Sequence, residues 1–419
     1  MKVLLKQTRI ISPSSPFNGK TKDILISDGK IISISDHCKE KADQVISEEG
    51  LCVSPGWMDV FAHFCDPGFE YNETIEMGSA AAAAGGFTDV MIIPNTNPVV
   101  HNKSQVEYLM ARSADNPVNI HPIGAVTRNA EGQSLAEMYD MKLSGALAFS
   151  DGIQTIQSPG ILLKALQYVK AFNGTIIQVP GDSSIAPQGL MNEGIVSTRL
   201  GLPGLPSIAE ELMISRDIEL VKYTDSKIHF TGVSTKRGLE IIAAAKASGL
   251  SVSCSVTAYH GFFCDEDLTQ YDTNLKLNPP LRTRADMMAI REALNAGMVD
   301  CLATHHLPQD LDHKQCEFEY AKNGMIGLET QFAVMSTMGM DSNDFVHMQA
   351  INARQIFGLP VPELTEGASA VLTLFNPEKE FQVDAVKMKS RSKNTPFAGK
   401  TLRGSVLGII NNNRIQLNN

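Results

Sequence analysis

The segment Trp57-Met58-Asp59-Val60-Phe61-Ala62-His63-Phe64-Cys65-Asp66-Pro67-Gly68 has the outline of a metal-binding strand with one ligand replaced. Side chains two apart in an extended strand point to the same face. A His-x-His pair there would grip one metal ion with two imidazoles. Here the first of the pair is Phe61, whose ring has no lone pair to donate to a metal. Other polar groups stand at the ends of apolar runs: Asn95 in Pro94-Asn95-Thr96-Asn97-Pro98, Asp151 in Phe149-Ser150-Asp151-Gly152, Asn278 in Asn278-Pro279-Pro280-Leu281-Arg282, and the pair His305-His306.

The elements that must position these groups follow from the apolar pattern. Short apolar runs at 57–63, 87–93, 119–126, 145–151, 175–179, 227–234, 250–257 and 298–304 alternate with helical stretches such as 74–84, 161–172, 208–223, 236–248 and 284–296. Alternating strand and helix implies a parallel sheet, and eight such units match a (β/α)8 barrel better than an open sheet. The first fifty residues read as short strands, with Asp28-Gly29 between two apolar runs as a hairpin turn. Strands return after Glu366. The expected organisation is therefore an α/β chain: a TIM-type barrel over 55–364 and a small composite β-domain from 1–54 plus 365–419. The Ala80 to Ala84 run reads as a close-packed helix stopped by Gly85-Gly86.

Bulk properties narrow the class. The chain has 419 residues, 43% of them hydrophobic, and a net charge of −10 with no basic run, which argues against nucleic acid or anionic membranes as partners. Seven scattered cysteines, odd in number and without Cys-x-x-Cys, argue against a disulfide framework or a zinc–thiolate site. No run is long and apolar enough for a signal peptide or a membrane span, so the chain is read as cytoplasmic.

In a barrel of this kind the strand ends carry function. Their order here, with Pro94-Asn95-Thr96-Asn97-Pro98, Asn278-Pro279-Pro280-Leu281-Arg282 and the closing run Ser392-Lys393-Asn394-Thr395-Pro396-Phe397, resembles the dihydroorotases of the amidohydrolase superfamily over nearly the whole chain. The resemblance implies ring hydrolysis or closure of dihydroorotate in pyrimidine synthesis. It places the family's strand 1 histidine pair on Phe61 and His63, its strand 4 aspartate on Asp151, and its strand 5 and 6 histidines on Gln178 and Gly232. The strand 8 aspartate, the general base, falls on His305. Among substrate-binding positions Asn95 and Asn278 match, while an arginine falls on Cys65 and a histidine on Gln309.

Hydrolysing a cyclic amide at neutral pH needs a strong nucleophile, which a metal supplies by lowering the pKa of bound water to about 7. Phe61 and Gly232 offer no donor and Gln178 only a neutral oxygen, so a binuclear site is not expected. One reading leaves His63 and Asp151 as residual ligands, joined by His305 around a single zinc in a working dihydroorotase or other cyclic-amide hydrolase. His305 could instead act as the base. The reading that carries more weight has no metal: His63 and Asp151 are polar remnants of a filled barrel mouth, bonded to each other. On that reading Asn95 and Asn278 are turn residues beside prolines, Cys65 is inert, and only one of the adjacent His305 and His306 can enter the site. The chain is then an impaired dihydroorotase-like protein acting as a partner or scaffold. Noncatalytic members of the family assemble with aspartate transcarbamoylase, which makes that enzyme the first candidate partner. A homo-oligomer is also expected.

Overall fold

The computed structural model describes residues 1–418. It opens with strands β1 (Lys2–Ile10), β2 (Thr21–Ser27), β3 (Lys30–Ser35), β4 (Gln44–Ile46) and β5 (Cys52–Pro55). The β2–β3 hairpin turns on Asp28 and Gly29, both in the left-handed region at φ 51° and 73°, the conformation a two-residue turn between twisted strands requires.

The alternating part follows: β6 (Trp57–Ala62), α1 (Ile75–Ala84), β7 (Phe87–Ile92), α2 (Lys103–Ser113), β8 (Asn119–Gly124), α3 (Met138–Leu143), β9 (Ala148–Phe149), α4 (Pro159–Lys170) and β10 (Ile176–Gln178). A short parallel ribbon of β11 (Met191–Asn192) and β12 (Gly204–Leu205) brackets α5 (Ile195–Leu200). Then come α6 (Ile208–Thr224), β13 (Ile228–Phe230), α7 (Lys236–Ala247), β14 (Val252–Val256), α8 (Ala258–Phe262), α9 (Arg284–Asn295) and β15 (Cys301–Leu302). Strands β6 to β10 and β13 to β15 form one parallel sheet in chain order. Its two edges meet where the His63 N–H donates to the His306 carbonyl at 2.8 Å, beside a parallel bridge between Ala62 and His306. The expected (β/α)8 barrel is present. Helix α1 ends where anticipated: Gly86 sits at φ 90°, and a side chain at Gly85 would strike the Leu328 carbonyl.

After the barrel come α10 (Gln331–Thr337), α11 (Ser342–Val346), a wide π-type stretch 347–352, and α12 (Ala353–Phe357). The chain finishes on β16 (Val371–Gln382), β17 (Thr401–Asn411) and β18 (Arg414–Leu417). These join the opening strands in one sheet of order β18-β17-β16-β5-β1-β2-β3, with β4 against β1.

Two contacts couple the barrel to its surroundings. Trp57 is fully buried among Phe87, Phe332, Phe345 and Phe375, with ring centroids 4.9–6.3 Å apart. Its indole N–H donates to Ser54 Oγ at 2.9 Å, which satisfies the one polar atom such a ring brings into a core. At the opposite end of the barrel from the strand tips, Arg354 of α12 donates to Asp89 at 2.5 Å, to Thr88 Oγ1 and to the carbonyls of Gly56 and Ala350. Burial alone would raise the Asp89 pKa, but the His121 hydrogen bond and the Arg354 charge hold its carboxyl well below the usual range. Among the described residues no helix is long and apolar enough to cross a membrane.

Candidate active site at the barrel mouth

The strand ends do converge on one mouth, but their side chains are committed to the protein itself. The neutral His63 ring donates from Nε2 to the Asn95 carbonyl at 3.1 Å and accepts at Nδ1 from the Cys65 thiol at 3.2 Å. Burial, with His306 adding to it, pushes its pKa down to about 4. Asp151 accepts from the Thr127 N–H at 2.9 Å and from the Thr127 hydroxyl at 2.5 Å. His63 and Asp151 are therefore not bonded to each other, contrary to expectation. Each secures a neighbouring loop instead.

The remaining family positions are equally occupied. Gln178 turns to the segment below it, exchanging hydrogen bonds with Ile156 and donating to Asp217 at 3.2 Å. Gly232 lies at φ 69°, and a Cβ there would sit 2.6 Å from His305 Cε1. The His305 ring therefore fills the space that a strand 6 ligand would need. That ring also packs on Phe61, with centroids 4.5 Å apart. Among the described residues no three His, Cys, Asp or Glu side chains are grouped to hold a metal ion, so His63, Asp151 and His305 do not assemble the three-ligand site. These residues do not fit a catalytic zinc, which takes three protein ligands. The Cys65 thiol is fully buried, and burial together with the nearby Glu73 carboxylate raises its pKa. It is held as a thiol.

His305 is the end of a buried chain of hydrogen bonds. Ser253 Oγ lies 2.8 Å from His229 Nδ1, His229 Nε2 lies 3.0 Å from Ser255 Oγ, Ser255 Oγ lies 2.8 Å from Thr231 Oγ1, and Thr231 Oγ1 lies 2.8 Å from His305 Nε2. A hydroxyl has one proton to give. The chain is self-consistent with its protons running in either direction, so each hydroxyl both donates and accepts along it. Either way Nε2 of His305 is engaged by Thr231. Burial, then His260 and His229, push the His305 pKa down to about 3. A base that weak is poorly matched to proton abstraction at neutral pH. The general-base role expected for His305 is not supported by its surroundings.

An open cavity of about 330 Å³ lies over this ring. Its lining includes Phe61, Tyr259, Asn278, Lys322 and both His305 and His306. The expectation that only one of the two histidines reaches the site assumed continued strand alternation. In fact β15 ends at Leu302 and His305 adopts φ 43°, so alternation has stopped before the pair begins. Asn95 is not in the lining. It donates to the Asp151 carbonyl and accepts from the Ile153 N–H, both at 3.0 Å, which makes it a brace between two loops. Asn278 does reach the cavity, exposed and without a side-chain hydrogen bond among the described residues. The sequence reading missed Lys322, Tyr259 and the Ser253–His229–Ser255–Thr231 chain. The polar alternation in Ser253-Cys254-Ser255 and His229-Phe230-Thr231 was the available signal, since residues two apart share the barrel interior.

The repacking around His305 has a measurable consequence. Gly232→His is expected to lower stability by about 2–4 kcal/mol through overpacking and left-handed backbone strain, without zinc uptake, whereas adding His305→Asp relieves the clash. Urea midpoints and zinc content check this; a Gly232→His protein as stable as the parent would show that the ring does not fill the space.

A parallel eight-stranded barrel, carrying a sheet woven from both chain ends and gathering its polar strand tips at one mouth, defines the amidohydrolase superfamily architecture. Solved structures share it: the L-hydantoinase (dihydropyrimidinase) of Arthrobacter aurescens matches with a TM-score of 0.86 at 23% identity, covering 99% of this chain and 95% of its own. The D-hydantoinase of a Thermus species matches with a TM-score of 0.83 at 19% identity, over 99% and 95%. Residues 50–238 match the family model described as dihydro-orotase-like. The dihydroorotases of Syntrophus aciditrophicus and Acetivibrio thermocellus are each 39% identical, over 99% of this chain and 99% and 98% of theirs. Likeness of that extent along the whole length places the chain in the dihydroorotase family.

Proposed function

We propose that this dihydroorotase-family chain keeps the scaffold without the hydrolytic chemistry and works as a binding partner, with aspartate transcarbamoylase as the partner to test first. The observation that carries the reading is the His305 ring lodged against Gly232 and Phe61. One side chain there takes the volume of a metal ligand while its Nε2 is spent on Thr231. Cys65 and His63 are tied to each other in neutral form, so neither a thiolate nor a free imidazole is at hand as a nucleophile. The partner role rests on family resemblance, and the zinc-free state on the donor set just described.

Purification without chelators, followed by zinc analysis and a dihydroorotate turnover assay, is expected to give well under one zinc per chain and no turnover. Co-purification with aspartate transcarbamoylase from the same source is expected alongside. Stoichiometric zinc with turnover abolished by His63→Ala would establish the single-metal hydrolase instead. A chain that neither co-elutes with the transcarbamoylase nor alters its activity would remove the partner role.

A further inference from the structure

The chain of hydroxyls and imidazoles inside the barrel runs along the strands from the far end to the mouth. Ser253 stands second in β14, toward the end opposite the mouth, and is half-buried. The sheet register pairs it with His229 of β13, whose ring packs on Phe357 of α12 with centroids 5.4 Å apart. Two residues further along, Ser255 and Thr231 face the same interior, and His305 completes the run at the mouth cavity. His229, Thr231 and Ser255 are wholly buried and His305 nearly so. Among the described residues the three hydroxyls and the two rings make no side-chain hydrogen bonds except those along the chain. Burial keeps both rings neutral, so each carries one proton on one of its two nitrogens.

Two arrangements give every one of these contacts a proton. In one, His305 donates from Nε2 to Thr231, Thr231 to Ser255, Ser255 to His229 Nε2, and His229 from Nδ1 to Ser253. In the other every bond is reversed: Ser253 donates to His229 Nδ1, His229 from Nε2 to Ser255, Ser255 to Thr231, Thr231 to His305 Nε2, and His305 keeps its proton on Nδ1. Any mixture leaves a contact of 2.8–3.0 Å without its proton, or a hydroxyl proton without an acceptor, and an unmade bond is costly in a buried run. The tautomers of the two histidines are therefore opposite and locked together. The two arrangements also differ by one proton carried along the barrel. A proton taken at His305 Nδ1 sends the Nε2 proton to Thr231, each group hands on its own, and Ser253 releases its hydroxyl proton at the far end. One proton enters, one leaves, and no charge is left inside.

We propose that this chain is a reversible proton wire, which couples the tautomer of His305 at the mouth to that of His229 and to Ser253 at the far end. Imidazole suits the part because it takes a proton on one nitrogen while giving one from the other. An acceptor placed against His305 Nδ1 selects one direction of the wire, and a donor selects the other. The inference goes beyond the partner role and does not depend on it, since it concerns the interior of the isolated chain.

Ring-nitrogen NMR of the full chain at neutral pH, with isotope-labelled histidine and signals assigned through His229→Asn and His305→Asn, reads the tautomers directly. The two rings are expected to hold their protons on opposite nitrogens, in matching proportions where both arrangements are populated. Ser253→Ala is expected to shift the His305 nitrogen signals from the other end of the wire. Thr231→Val is expected to abolish that response and Thr231→Ser to restore it. A thermal melt checks the fold of each variant, and Ser255→Ala breaks the same wire at a second point. Protons on the same nitrogen of both rings, His305 signals unmoved by Ser253→Ala, or a response that survives both breaks overturns the proposal. None of these outcomes bears on zinc content, turnover or the transcarbamoylase, so failure here and failure of the partner reading are separable.

Discussion

At pH 5 the protein is expected to be about 5 kcal/mol less stable than at pH 7, because four buried histidines must stay neutral to fold. His63 and His260 are pushed down to about 4, and His229 and His305 to about 3, in each case first by burial. In the unfolded chain each titrates near 6.5. The sign follows from where protons bind. Below 6.5 the unfolded state takes up protons that the folded state refuses, so stability falls as pH drops through 6.5 and levels off near the folded values of 3 to 4. Each ring costs about 2 kcal/mol at pH 5. The buried carboxyls of Asp59 and Asp217, raised to about 6 by burial, work in the opposite direction. They hold protons in the folded state that the unfolded state has lost, and recover roughly 1 kcal/mol each at pH 5. The histidines win because there are twice as many and their shifts are larger. Urea titrations at the two pH values measure the difference. Coincident midpoints would mean that these rings are not kept neutral by the fold.

Arg354→Met is expected to cost about 3–5 kcal/mol, the range for stranding one partner of a buried ion pair. Both side chains are almost fully enclosed. The guanidinium also caps the carbonyls of Gly56 and Ala350, so its removal leaves two acceptors and a carboxylate short of donors. Asp89 would retain only His121, Asn119 and Thr88. The double variant Arg354→Met/Asp89→Leu should recover part of the loss, because no charge is then left buried. Thermal midpoints across this cycle decide the point: a single variant within 1 kcal/mol of the parent would show that solvent reaches Asp89 and replaces the arginine.

The barrel was legible because its strands and amphipathic helices repeat with two distinct periods, and residues 57–304 carry both. The stretch after Thr304 was not. In α10 the six residues from Gln331 to Ser336 are all buried, so no polar face remains to show a helical period. The candidate site was legible as a set of positions and illegible as an arrangement. Gly232 in the sequence is an absent ligand. Only the neighbouring His305 ring explains why a glycine is needed there. The orientation of His305 and His306 turned on one backbone angle at residue 305, which strand alternation cannot anticipate. Asn95 stands beside a proline where a turn is expected, but its hydrogen bonds to residues 151 and 153 join segments far apart in the chain, which no local pattern announces.

The sheet made from both chain ends also bears on how the protein is born. Strand β5 ends at Pro55 and pairs with β16, which begins at Val371. At translation rates of roughly 5–20 residues per second, the first half of that sheet waits on the order of 15–60 s beside the ribosome with an open edge. During that interval Val53 and its neighbours expose unpaired backbone, a template for pairing with another nascent chain. Truncation anywhere before β16 would make that interval permanent.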